Sequence, residues 1–222
     1  MRRFLRNNGL TLTLLALFAA SLAGHAVSGW LNQRQERQLH GKPAQTFRAY
    51  LCSSDFGETV FENWESEFLQ MGMYLALTAL LFQKGSAESR DPEQKDNADS
   101  PPQPYVLKDS TPWAVRRGGL WLALYSHSLS LAFIGLFALS FTLHAITGTH
   151  AYNDWLGAHG EASRVTVLRY LRTSRFWLES FQNWQSEFLS IAAMVWLSIY
   201  LRQRGSPESK DVAAAHSHTG AS

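Results

Sequence analysis

Apolar residues along this chain gather in four runs, separated by polar segments of very different length. Leu10 to Trp30 carries no charge, and at 1.5 Å per helical residue it reaches about 30 Å, the thickness of a bilayer core. Phe68 to Phe82 is also uncharged but too short to cross alone. Its helix must begin earlier, with Phe61 and Trp64 entering the interface. A third run is most apolar from Leu129 to Ile146, behind the polar entrance Tyr125-Ser126-His127-Ser128, and a fourth follows from Phe181 to Leu201. The pattern predicts four membrane-spanning helices over residues 10–30, 61–83, 125–147 and 181–203.

The second and fourth runs open on nearly the same words. Phe61-Glu62-Asn63-Trp64-Glu65-Ser66-Glu67-Phe68-Leu69 recurs 120 positions later as Phe181-Gln182-Asn183-Trp184-Gln185-Ser186-Glu187-Phe188-Leu189. Each run closes on Gln-basic-Gly-Ser, and His-Ala-aliphatic-hydroxyl-Gly is shared by His25 to Gly29 and His144 to Gly148. Self-similarity at a fixed period decides architecture before any other signal. It predicts a first repeat over 1–85 and a second over 112–205. It also argues against a cleaved signal peptide for Leu10 to Trp30, because such a leader has no reason to share a pattern with an internal segment.

The polar segments have readings of their own. Phe47, Tyr50 and Leu51, with their counterparts Val167, Tyr170 and Leu171, follow helical spacing and predict a short interfacial helix in each outer loop. Ser54 or Asp55 and Ser174 are expected to cap the helices that follow, and Gly85 and Gly205 to end them. Pro92, Pro101, Pro102 and Pro104 among charges predict a disordered linker over 86–111, and small residues predict a disordered tail over 206–222 that contains His216 and His218.

Charge orients the bundle. With the amino terminus in the cytoplasm, cytoplasmic segments hold 12 of the 20 Lys and Arg residues and outer loops the rest, the sign of the positive-inside rule. Both termini then face the cytoplasm. Two spans per repeat give both hairpins the same polarity, so they should be related by an axis along the membrane normal. Composition narrows the function classes. A net charge of +2 is too small for a nucleic-acid footprint, and the single Cys52 excludes an intramolecular disulfide or a Cys-based zinc site. No phosphate loop, nucleophile elbow or metalloprotease motif is present, so no enzymatic activity, catalytic residue, metal or cofactor is expected. The partner expected is the lipid bilayer, with homo-oligomerisation left open.

Orientation brings one polar constellation to the outer side: His25, Asn63 and Glu67, and in the second copy His144, Asn183 and Glu187. Glu58, Glu62 and Glu65 have Leu178, Gln182 and Gln185 as counterparts, so only Glu67/Glu187 persists and the other three read as solvated carboxylates. The simplest role for the constellation is interhelical hydrogen bonding, with His25 bonding Glu67 or Asn63. A titrating His beside a carboxylate could instead serve a proton or solute pathway, and His and Glu on bundle helices could hold a metal or haem. Phe61, Trp64, Phe68, Phe181, Trp184 and Phe188 form the apolar packing face of the motif. Seven tryptophans fall near span ends as an aromatic belt, while Trp196 is expected to pack inside.

The Phe-x-Asn-Trp-x-Ser-Glu-Phe-Leu motif, with Gln-basic-Gly-Ser-x-Glu-Ser after its span, resembles an uncharacterised family of bacterial integral membrane proteins, a domain-of-unknown-function family. The resemblance covers nearly the whole chain apart from the linker and tail. It implies a bacterial membrane protein and no catalytic residue. The expected fold is an all-α membrane protein of four transmembrane helices, built from two parallel-oriented repeated hairpins. The leading function is non-enzymatic, structural or envelope-associated. A small transporter or channel and a membrane metal or redox protein are the alternatives.

Overall fold

A computed structural model describes residues 2–91, 93, 111–161 and 163–220. Most of the expected linker (92 and 94–110) and the end of the tail (221–222) lie outside them. Every element among the described residues is helical: α1 (Arg2–Leu39), α2 (Phe47–Leu51), α3 (Ser54–Leu80), α4 (Trp113–Arg117), α5 (Gly119–Ser126), α6 (Ser128–Ala158), α7 (Val167–Tyr170) and α8 (Ser174–Tyr200). Two of them, Arg3–Leu39 and Ser128–Ala158, are long and apolar enough to cross a membrane. The apolar windows of both lie mostly open, with Leu10, Leu14, Leu17, Leu129 and Leu139 among the exposed side chains. A core helix of a water-soluble domain would bury them. Helices α3 and α8 have the length, 27 residues each, but their amino-terminal halves are diluted by acids, amides and Arg175.

Helix boundaries follow local hydrogen bonding. Thr173 caps α8 by accepting from Phe176 N–H, and Ser53 Oγ accepts from Phe56 N–H at the start of α3, each one residue earlier than expected. At the other ends, α3 stops at Leu80 and α8 at Tyr200, five residues before Gly85 and Gly205. The cause is a serine-rich knot: Gln83 N–H bonds Ser89 Oγ (2.8 Å) and Gln203 N–H bonds Ser209 Oγ (2.9 Å), taking those donors out of the helical ladder. The two glycines turn the chain inside the knots at φ +86° and +84°.

The chain divides into two compact units, with boundaries inside α3 and α6. The first comprises Met1–Val60 and Leu143–Tyr170. In it Trp30 Nε1–H donates to the Gln45 carbonyl (2.8 Å) and Gln33 Nε2–H to Asp55 (2.6 Å), tying the loop and the first turn of α3 to α1. Asn153 exchanges two hydrogen bonds with the Val165 backbone (3.0 and 2.8 Å) and does the same for α6. Thr46 and Thr166 cap α2 and α7. These two short helices are placed where interfacial helices were expected, yet each turns its tyrosine inward. Tyr50 and Tyr170 are buried, their rings laid on Gly29 and Gly148. A β-carbon on Gly148 would sit 2.7 Å from the Tyr170 hydroxyl, so glycine is what admits the ring.

The second unit comprises Phe61–Thr142 and Leu171–Ser222. Its core is aromatic. Phe68 packs on Phe133 (centroids 6.4 Å apart), Phe137 on Trp184 (6.2 Å) and Phe141 on Phe176 (5.3 Å). Gly72 brings α3 close to α6, where an added β-carbon would lie 3.4 Å from Phe133. Trp196, expected inside, is 59% exposed, because the buried face of α8 runs instead through Phe176, Ser180 and Ser198. The segment 206–220 carries hydrogen-bonded turns. Thr219 Oγ1 accepts from Gly85 N–H (2.9 Å) and Gly220 N–H donates to the Ser86 carbonyl (2.9 Å). Lys210, only 2% exposed, points its ammonium at the carbonyls of Gly85, Ile199, Ala215, His216 and His218 (2.5–3.5 Å).

Candidate functional site

The repeated motif places its residues on the amino-terminal halves of α3 and α8. Between them runs a polar clasp made by the acids that looked dispensable. Asn183 Nδ2–H donates to Glu62 (2.6 Å), and Trp184 Nε1–H donates to Glu65 (3.1 Å). Glu65 is 0% exposed. One step further along, Gln70 Nε2–H donates to the Glu187 carbonyl (3.0 Å) and to Ser190 Oγ (2.7 Å). In the first unit Glu58, also buried, accepts from the Tyr170 hydroxyl (3.3 Å).

Glu58 and Glu65 are therefore not solvated carboxylates. Comparing the two copies singled out what persists, and a contact between copies needs complementary residues instead of identical ones. An acid on one side answers a donor on the other, so divergence at 62 and 65 was the available signal.

The residues picked from sequence divide between the units. Asn63, Glu67, Asn183 and Glu187, with the six motif aromatics, belong to the second. There Glu67 is exposed and Glu187 half-buried. Phe61, Trp64 and Phe68 stack edge to face along α3 (5.9 and 6.5 Å), and Phe181 meets Trp184 the same way (5.5 Å). Phe181 and Phe188 are exposed.

His25 and His144 belong to the first unit. His144 is fully buried. His25 Nε2 lies 3.1 Å from Thr59 Oγ1 and its ring packs on Phe56 (5.4 Å). The Phe56 carbonyl can only accept, and it lies 3.0 Å from the same hydroxyl. The hydroxyl thus bridges the ring and the α3 backbone, and the contact ties α1 to α3.

Among the described residues, no group of three or more His, Cys, Asp or Glu side chains is placed to hold a metal ion. Cys52 is exposed and free. What the arrangement does chemically is join helices through buried hydrogen bonds. No curated protein and no solved structure is detectably similar to the chain. Residues 1–221 match one family throughout, and the chain belongs to it: the family described as a domain of unknown function, DUF6766.

Proposed function

We propose that this chain is a non-enzymatic integral membrane protein of four spans, with a structural or envelope-associated role, in which the two copies of the motif clasp the helical hairpins together. The observation that carries the reading is the pair of bonds from Asn183 and Trp184 to Glu62 and Glu65, one copy of the motif gripping the other. Two further recurrences support a duplicated hairpin. Tyrosine lies on glycine at 50/29 and again at 170/148, and the serine knot forms at 83–90 and again at 203–210. Glu62, Glu65 and Gln70 of α3 meet donors and acceptors on α8, which is how part of a polar half-helix is accommodated in a bilayer.

The Lys and Arg bias supports cytoplasmic termini, the four apolar runs support multi-pass insertion, and the family resemblance supports a bacterial inner membrane. Reporter fusions test them. A reporter active only in the periplasm should be silent after residue 85 and active after residue 45 or 163, and the reverse pattern would end the topology. The clasp is tested by Asn183→Ala and Trp184→Phe in detergent. Interhelical hydrogen bonds in membranes average about 0.6 kcal/mol and reach about 1.7. Each variant should lower the melting temperature while leaving expression in the membrane fraction intact. Unchanged melting in both would remove the structural reading.

A further inference from the structure

The faces of α3 and α8 that correspond by sequence are used differently. On α3 the stripe Glu58, Glu62, Glu65, Leu69 and Gly72 is covered, each member buried or half-buried. On α8 the counterpart stripe Leu178, Gln182, Gln185, Leu189 and Ala192, extended by Trp196, is exposed along its whole length, with Leu189 at 70%. We propose that this open stripe is the seam of a parallel homodimer, α8 packed on α8 of a second copy about a twofold axis along the membrane normal.

Four observations favour a second copy as the occupant. The stripe advances by 4, 3, 4, 3 and 4 residues, the spacing that keeps one face of a helix against an identical partner. Its outer part is a groove of about 830 Å³, lined by Trp177, Leu178, Phe181, Gln182 and Gln185 and bordered at its end by Ser174 and Arg175, wide enough for side chains of a neighbouring helix. A primary amide both donates and accepts, so Gln182 and Gln185 can meet their own images without conflict of polarity. Finally, the stripe is uncharged where its α3 counterpart holds three glutamates. Carboxylates at 178, 182 and 185 would confront one another across a twofold axis, and the chain has none there. The flanking Arg175 is neutralised by Glu179 (2.8 Å).

The inference rests on the reading of α8 as a span. The test is site-directed disulfide formation in native membranes, in a Cys52→Ser background. Leu189→Cys and Ala192→Cys should each give covalent dimers under mild oxidation. Met71→Cys, on an exposed part of α3, should not. Native mass measurement of the detergent-extracted protein should give a dimer. Each glutamine replaced by alanine should weaken it about threefold, the scale of one interhelical hydrogen bond in a membrane. A monomeric mass, cross-linking at Met71→Cys as fast as at Leu189→Cys, or association unchanged in Gln182→Ala/Gln185→Ala would each overturn the seam. Release of the chain from membranes by alkaline carbonate would instead mark failure of the membrane reading. A carbonate-resistant monomer would refute the seam alone.

Discussion

The sharpest test of the fold lies at Gly29, inside α1, where the Tyr50 ring rests. An alanine methyl there would overlap the Tyr50 hydroxyl and sit 3.0 Å from Cζ and 3.5 Å from Cε1. Tyr50 is buried, with Phe56 at 5.4 Å behind it, so the ring has little room to retreat. Overpacking of this kind costs about 1–3 kcal/mol. Against it stands the gain of replacing a helical glycine by alanine, about 1 kcal/mol. Gly29→Ala should therefore range from neutral to about 2 kcal/mol destabilising, and a chain of this size loses about 2–4 °C of melting temperature per kcal/mol. Tyr50→Phe removes the overlapping atom and leaves only the contacts at 3.0 and 3.5 Å. In that background Gly29→Ala should become harmless or stabilising, a coupling of at least about 1 kcal/mol. Gly24, in the same helix, has open space where a methyl would go, with nothing within 4 Å, so Gly24→Ala should stabilise outright. Thermal unfolding followed by circular dichroism in detergent reads all four variants. Equal effects of Gly24→Ala and Gly29→Ala, or an effect at Gly29 indifferent to Tyr50→Phe, would show that the ring does not lie on the glycine.

Three further outcomes are expected. Burial, and secondarily Asp55, raises the Tyr50 pKa above its ordinary 10.0. The folded state then holds the proton more tightly than the unfolded one, so this contribution is intact below pH 10 and is lost as pH rises through the folded value. A titration of melting temperature above pH 9 should lose that part of its slope in Tyr50→Phe. Lys210→Met would leave five carbonyls without their shared donor, at about 1–3 kcal/mol. Limited proteolysis should then cut within 206–220 faster than in the parent, and an unchanged cleavage rate would dismiss the anchoring role. Gly85 and Gly205 share a left-handed φ, which alone costs alanine about 1–2 kcal/mol. A methyl on Gly85 would also meet the His216 carbonyl at 2.8 Å while Gly205 has open space, so Gly85→Ala should melt lower than Gly205→Ala.

The helices were legible in the sequence because apolar run length and the repeated motif report directly on local structure. The starts of α3 and α8 were legible to within a residue or two of the expected caps, whereas α1 and α6 run on to Leu39 and Ala158, well past the apolar runs that end at Trp30 and Ile146. The Gln-x-Gly-Ser-x-x-Ser pattern was visible, but periodicity does not say that Ser89 and Ser209 draw the Gln83 and Gln203 amides out of the helix. The inward turn of Tyr50 and Tyr170 was hidden for a related reason. Phe47, Tyr50 and Leu51 fit an interfacial helix as well as a packing turn, and only the facing glycine decides between them. The candidate site was half legible. Asn183 and Trp184 stood out by repetition, whereas Glu62 and Glu65 were set aside for lacking it.

That last miss bears on how the two copies of the motif would diverge if, as we propose, the hairpin is duplicated. Two identical copies in one chain cannot both present an acid face to each other, since like carboxylates at contact distance repel in a medium that screens poorly. One copy can keep the acids if the other supplies donors at the facing positions, as Asn183 and Trp184 do. The second copy's own positions 182 and 185 are then released from that duty. A free surface would tolerate many residue types there, and a bilayer-facing one would favour aliphatic side chains over amides. Gln182 and Gln185 satisfy neither expectation, and both stand on an exposed stripe whose remaining members are Leu178, Leu189, Ala192 and Trp196. Neutral, hydrogen-bonding side chains at positions barred to charge are what a self-complementary contact selects.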